Sequence, residues 1–411
     1  MEQVILITII AIVILDYIFD RVMDYLNASR WSKTLPAVLK DIYDEEKYIK
    51  SQEYSRVNMR FGLFTATVHF VLIMMLLFWG GFGWLDDFVR QHTSSPVLMA
   101  LLFFGILGLA SDILSTPFDL YRTFVIEERF GFNRTTPKTY LLDKLKGWFL
   151  ALLLGGGLLA LFVWFYNTAG SHFWLYIWLV VTAFSIFMMM FYSTLIVPLF
   201  NKQTPLEEGA LRTAIETFAR NNGFKLDNIY VIDGSKRSSK ANAYFSGIGP
   251  KKRIVLFDTL IREHSVEELV AVLAHEIGHY KKKHTAKGML LSVLNTGVML
   301  YLLGLFINRP ELSYALGGSE VSFHLGILAF GLIYSPISMV LSILGNKLSR
   351  KYEYEADAFA AETYAAEPLQ QALKKLSVNH LSNLRPHPAY VFVHYSHPPL
   401  LKRLEHLKKY T

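Results

Sequence analysis

The sequence contains no cysteine in 411 residues. That excludes a disulfide scaffold, a thiolate metal site, a cysteine nucleophile and lipidation on cysteine. Charge is also scarce: Asp, Glu, Lys and Arg make up 18% of the chain, against about 25% in an average soluble domain. Hydrophobic residues reach 52% and the mean hydropathy is +0.30. That is too apolar for a soluble protein of this size, and it excludes disordered, collagenous and low-complexity chains, which lack apolar residues.

What is present in quantity is long apolar runs. A hydrocarbon core takes about 20 mostly apolar residues to cross. Seven segments meet this: 4–19, 61–85, 96–116, 148–166, 173–200, 288–307 and 322–344. The first has Glu2 instead of a basic start and no small-residue cleavage site, so it reads as a span and not a leader. Between the spans the basic residues are sharply partitioned. Segments 20–60, 117–147, 201–287 and 345–411 hold 39 of the 41 Lys and Arg, and the alternate segments hold only Arg90 and Arg309. By the positive-inside rule the amino terminus is expected outside and the C-terminus in the cytosol. The net charge of +7 then reports orientation in a lipid bilayer. No basic stripe interleaved with aromatics points to nucleic acid, and no nucleic-acid partner is expected.

Polar residues within or near the spans, Asp16, His69 and Asp112, are expected to face the bundle interior. Gly155, Gly156 and Gly157 in the fourth span are expected to permit close helix packing.

The chain divides into four parts: 1–200 with five spans, a cytosolic piece 201–287, the last two spans in 288–344, and a second cytosolic piece 345–411. The two cytosolic pieces together are long enough for one domain. In the first, Thr204–Asn222 reads as an amphipathic helix with Pro205 near its start and Gly223 as its stop. Asn228–Asp233 and Arg253–Phe257 read as short strands, with Ala241–Ser246 between them bounded by turn residues. Ser265 with Glu268 three residues on is a capping-box pattern that opens a helix running to about Lys283.

That helix carries His275-Glu276-Ile277-Gly278-His279. Histidines four apart share a helix face, so both imidazoles can reach one ion, and the glutamate beside the first can take a proton from a metal-activated water. Two solvated histidines on an amphipathic helix would show the same spacing, so a third ligand is the test. A histidine six residues after the second would serve, but that position is Thr285, and His284 is one place off. A glutamate from a later helix would serve equally. Ser349–Glu362 looks helical and acidic. Glu353 and Asp357 are four apart on one face, Glu353 as a ligand and Asp357 as acceptor of a ligand histidine's free N–H, whereas Glu355 faces elsewhere on a regular helix.

These residues resemble the integral-membrane zinc metalloproteases of the type I CAAX prenyl endopeptidase family. The HEIGH of 275–279 followed by Glu353-x-x-x-Asp357 has the family's layout. Phe124–Glu128 with Gly131–Asn133, Asn242–Phe245, and His397–Leu404 resemble three further signatures in the same order. The resemblance implies a mainly α fold: a seven-helix transmembrane bundle enclosing a large intramembrane chamber, with a cytosolic zinc-metalloprotease domain containing a small β-sheet. It implies one Zn2+ per chain on His275, His279 and Glu353, with Glu276 as general base and Asp357 orienting a ligand histidine. His397 and Arg403 would contact substrate and transition state, His397 just before a helix that holds Arg403. Asn242, Ala243 and Tyr244 would form a sheet edge that binds substrate as an added strand. Glu127 and Glu128 read as salt-bridging or latching groups.

The implied substrate is the prenylated C-terminus of a CAAX protein, cut after the modified cysteine. The implied location is the endoplasmic reticulum membrane in a eukaryote or the plasma (inner) membrane in a prokaryote. The lack of cysteine leans towards a prokaryote, where turnover of damaged membrane proteins is the competing role. A seven-span transporter or receptor with an incidental HExxH is the remaining alternative, but no internal repeat supports it.

Overall fold

The structure, a computed structural model, describes the chain except residues 33, 37–38, 41–42, 225–227 and 247–252. The turn expected after Ala241–Ser246 lies among the residues outside that description. Seven of the described helices are long and apolar enough to cross a membrane: Glu2–Ala28, Glu45–Phe78, Pro96–Glu127, Pro137–Thr168, Gly170–Phe200, His284–Phe306 and Phe323–Thr363. The fold is mainly α, as expected, with one small mixed sheet.

The second and seventh spans differ most from their expected limits. The second does not run to residue 85. It ends at Phe78, and Gly80, at φ +65°, turns the chain into a separate short helix, Gly81–Arg90. That helix lies hard against the 308–321 connection: Gly83 N–H donates to the Leu316 carbonyl at 3.0 Å, and a Cβ on Gly83 would fall 1.9 Å from the Gly317 carbonyl oxygen. Its buried Asp86 accepts from Arg90 Nε (2.9 Å) and Ser322 Oγ (3.0 Å) and pairs with His324, which fixes the start of the seventh span.

The seventh run and the acidic helix after it are one element. Nothing between Leu344 and Ser349 breaks the helix, and Pro336 is absorbed within it, so Phe323–Thr363 is continuous over 41 residues. At 1.5 Å per residue this is about 60 Å, roughly twice the hydrocarbon thickness. One rigid rod therefore carries Glu353 and Asp357 beyond the bilayer.

The in-span polar groups meet one another. Asp112 holds Lys144 Nζ (2.9 Å) and Trp148 Nε1 (3.0 Å), Asp16 accepts from Ser335, and His69 lies 3.4 Å from Ser115. The expected close packing at the glycine triplet is not found. A Cβ on Gly155 or Gly157 would meet nothing within 4 Å. The triplet instead sits where the fourth span passes through a π-turn, Ala151–Gly156, a local widening that weak helix formers tolerate.

The sheet comprises β1 (Gln203–Pro205), β2 (Asn228–Ile232), β3 (Ala243–Ser246) and β4 (Arg253–Phe257), in the order β1-β2-β4-β3. The helix expected from Thr204 starts only at Ala210. Pro205 has no N–H to donate and suits an edge, so Gln203–Pro205 pairs antiparallel with β2 instead. β2 and β4 are parallel, and β3 pairs antiparallel with β4, which leaves β3 on the other edge. The helix Val266–Lys281 follows, with both hydrogen bonds of the Ser265–Glu268 capping box formed. One core unites the segments 201–287 and 345–411: Ile215, Ile254, Leu256, Leu273 and Ile277 from the first pack with Ala360, Leu369 and Leu407 from the second.

Candidate metal centre and active site

The HExxH helix, Val266–Lys281, makes more contact with the seventh-span helix than with any other element. Gly278 permits this approach: a Cβ there would sit 3.2 Å from Ala356 Cα and from two atoms of Phe359. The glycine inside the motif thus sets the separation of the two helices that carry the candidate ligands.

Across that contact His275, His279 and Glu353 each offer a ligand atom, all within 4.8 Å of one another. His275 Nε2 and His279 Nε2 are 3.1 Å apart, and Glu353 approaches them at 3.5 and 3.3 Å. Glu353 Oε2 is buried and makes no hydrogen bond. Oε2 faces His275 while Oε1 faces His279, and a buried carboxylate oxygen without a hydrogen bond is what a cation would satisfy. Burial works against charge on His275, but the Asp357 and Glu353 carboxylates, accepting from its ring N–H groups, outweigh it and push its pKa up to about 9. The site attracts positive charge, and two imidazoles with one carboxylate, leaving a position open, suit a catalytic zinc.

Each histidine is held from behind. Asp357, fully buried, lies 2.9 Å from His275 Nδ1. The support of His279 was not foreseen. His284 Nδ1 is 3.1 Å from His279 Nδ1, and His284 Nε2 is 2.9 Å from Glu355 Oε2. Glu355 thus faces away from the two ligand histidines, as a regular helix requires, and towards His284. The sixth span starts beside this helix face, and Lys283, in the left-handed region at φ 59°, reverses the chain so that His284 folds back on His279. For a non-glycine residue that conformation costs about 1–2 kcal/mol. The His284 ring also stacks on Tyr352 with centroids 4.1 Å apart. A carboxylate only accepts, so His284 donates from Nε2 and accepts at Nδ1 from the His279 Nδ1–H. Both HExxH histidines then present Nε2 lone pairs to one point.

His397 and Arg403 are also at the centre. His397 is exposed, with Nε2 3.3 Å from Glu353 Oε1. It precedes the helix Leu400–Leu407, as expected. Arg403, expected to contact substrate and transition state, is held largely by Asp357. Its Nε and Nη2 are engaged by Asp357 at 2.8 and 2.5 Å, and only Nη1 is left, 3.4 Å from Glu353 Oε2. The reason is Asp357's full burial, which requires a paired countercharge.

Glu276 lines a cleft of about 610 Å³ together with Asn242, Ala243, His397 and Arg403. Asn242 sits just before β3, and its carbonyl accepts from Phe257 N–H at 3.0 Å. Tyr244 points to the opposite sheet face, its hydroxyl 3.3 Å from Ser193. The acidic pair of the third connection latches, as expected. Glu127 accepts from Tyr54 (2.5 Å) and Lys240 Nζ (2.9 Å), and Glu128 from Asn133 (2.9 Å). Lys240 immediately precedes the Ala241–Ser246 segment, so this latch ties β3 to the membrane bundle.

Together the fold and the site define a metallopeptidase built into a membrane bundle. Residues 24–202 match the family model described as CAAX prenyl protease N-terminal, five membrane helices. Residues 205–411 match peptidase family M48. The chain belongs to peptidase family M48, with the amino-terminal membrane helices of its CAAX prenyl proteases. Relatives include CAAX prenyl protease 1 of Saccharomyces cerevisiae, 35% identical over 95% of this chain and 92% of that protein. The CAAX prenyl protease 1 homologs of Arabidopsis thaliana and Homo sapiens are 35% and 34% identical, covering 97% and 91% of this chain and 96% and 88% of those proteins. The crystal structure of S. mikatae Ste24p superposes with a TM-score of 0.93 at 34% identity, covering 98% of this chain and 99% of that one.

Proposed function

We propose that this metallopeptidase uses one zinc ion to remove the C-terminal tripeptide from isoprenylated CAAX proteins on the cytosolic side of the membrane. The observation that carries this is the convergence of two imidazole Nε2 atoms and an unsatisfied Glu353 oxygen beside a cleft walled by Glu276 and the edge strand. The names of the relatives support the substrate.

His275, His279 and Glu353 hold the metal. Zinc, when bound there, supplies a Lewis acid that polarises the peptide carbonyl and acidifies a water. Glu276 takes the proton of the attacking water and delivers it to the leaving amine. His397, exposed at the cleft, donates to the developing oxyanion, and Arg403 Nη1 adds positive charge there while its other nitrogens hold Asp357. Asn242, Ala243 and Tyr244 present the free edge of β3, on which the substrate lies as an added strand. Residues 201–287 and 345–411 form one catalytic domain, interrupted by spans six and seven, and the shared core supports that division. The 39-to-2 partition of basic residues supports an external amino terminus and a cytosolic C-terminus. The membrane is the endoplasmic reticulum of a eukaryote or the inner membrane of a prokaryote.

The substrate reading is tested by comparing kcat/KM of the purified protein for a farnesylated CAAX peptide and its unprenylated counterpart. We expect a preference for the farnesylated peptide of about tenfold or more, since its chain buries many methylene-sized groups. Equal values for the two would contradict it.

The support of His279 gives a second prediction. His284→Ala and Glu355→Gln should each weaken zinc binding by about 10–100-fold, the usual effect of losing a partner behind a ligand histidine. Competition with a chromogenic chelator measures this directly, without reference to activity. Wild-type affinity in both variants would show that the pair plays no part in holding the metal.

A further inference from the structure

The register of the sheet sorts its side chains onto two faces. Tyr244 opposes Val255, and Ile232 opposes Phe257, so Tyr244, Ser246, Phe257 and Ile232 share one face. The other face, with Ala243, Phe245, Ile254 and Leu256, packs on the core around the HExxH helix. The Tyr244 face is covered by the end of the fifth span. Between them lies a cavity of about 680 Å³, with Met188, Met189, Tyr192 and Phe200 of that span forming its membrane-side wall. Phe245 and Thr285 line both this cavity and the smaller one at Glu276, His279 and Glu353, and Asn242 lines both this cavity and the catalytic cleft.

We propose that this cavity binds the isoprenyl chain carried by the residue on the amino side of the scissile bond. The inference rests on the prenylated-substrate reading above. A strand added at the free edge of β3 continues the alternation of the sheet, so the two side chains flanking the scissile bond point to opposite faces. One enters the catalytic cleft, whose apolar wall, Leu369, Leu373 and Leu376, belongs to the cytosolic piece. The other enters the cavity beneath the fifth span. A lipid chain arriving from the bilayer meets the second, and its paired methionines are flexible enough to fit an irregular polyprenyl group. Its size suits a small apolar ligand. The groove between the sixth and seventh spans is a poorer host, because Ser292, Asn295, Thr296, Ser338 and Ser342 line it.

The test is chain-length selectivity of the full-length protein in detergent, using CAAX peptides carrying geranyl, farnesyl or geranylgeranyl. Met189→Trp fills the cavity and should lower the geranylgeranyl-to-geranyl ratio of kcat/KM by about tenfold or more, the loss expected when a few methylene-sized groups lose their burial. Met189→Ala should raise the ratio. Unchanged ratios in both variants, with the wild type still preferring prenylated peptide, would overturn the cavity assignment and leave the substrate reading standing. A wild type indifferent to prenylation would overturn both. A second measurement does not depend on the stability of the Met189 variants. A peptide with a photoreactive isoprenoid, bound to Glu276→Gln protein, should label residues 188–192, and labelling confined to 369–376 or 292–296 would overturn the assignment.

Discussion

Glu276→Ala protein is expected to bind zinc normally and to cleave a farnesylated CAAX peptide at least about 10²–10⁴-fold more slowly than wild type, the range set by loss of a positioned general base. The two effects separate because Glu276 is not among the three residues that offer ligand atoms. It stands on the cleft wall next to His275, the position that the proposed role of general base requires. Elemental analysis of the purified variant and product quantification by mass spectrometry give the two readings. Cleavage at the wild-type rate would assign the proton transfer to another group, whereas loss of zinc would mean that Glu276 also holds the metal.

Glu353→Ala is expected to abolish both zinc content and activity. A four-ligand structural zinc site binds with about 10–16 kcal/mol, so one protein ligand contributes about 3 kcal/mol, or more than a hundredfold in affinity. The loss is aggravated by what Glu353 leaves behind, since Arg403 Nη1 at 3.4 Å loses its nearest countercharge on that side. A positive group then faces the place where a cation binds. Zinc measured by elemental analysis after dialysis should fall well below one per chain. Removing Glu355 should instead produce only the smaller weakening expected for a group acting through His284. Full zinc retention in Glu353→Ala would move the third ligand elsewhere.

The contrast between Glu353 and Glu355 shows where the sequence is readable. The spacing of His275 and His279, and of Glu353 and Asp357, follows from helix periodicity alone, and each pair converges as that period requires. The capping box at Ser265 is local chemistry, and it forms. The partition of basic residues needs only the count of spans, and seven helices of sufficient length are present. His284 escaped because its approach depends on the backbone of Lys283 in a left-handed conformation, which no side-chain pattern announces. Glu355 faces away from His275 and His279 on a regular helix, but the sixth span meets that face, a tertiary fact. The role of Gly278 likewise appears only when Ala356 and Phe359 close upon it. Hydropathy alone carries the second span too far along the chain, because residues 79–85 are apolar enough to continue it. The break comes from the positive φ of Gly80 and the fit of Gly83 against Gly317, neither of which hydropathy registers. The strand at Gln203–Pro205 has the same origin: Pro205 is compatible with the first turn of a helix and with an edge strand, and pairing with β2 decides between them.

This membrane-embedded site is proposed to hydrolyse the peptide bond after a prenylated cysteine by means of a metal held on His275, His279 and Glu353. The direct measurement is the mass spectrum of a farnesylated CAAX peptide after incubation with the purified wild-type protein, with and without a zinc chelator, and again after zinc is restored. The expected result is a released C-terminal tripeptide and a farnesylcysteine terminus, lost with the chelator and regained with zinc. An intact peptide, a cut at another bond, or cleavage indifferent to the chelator would contradict it.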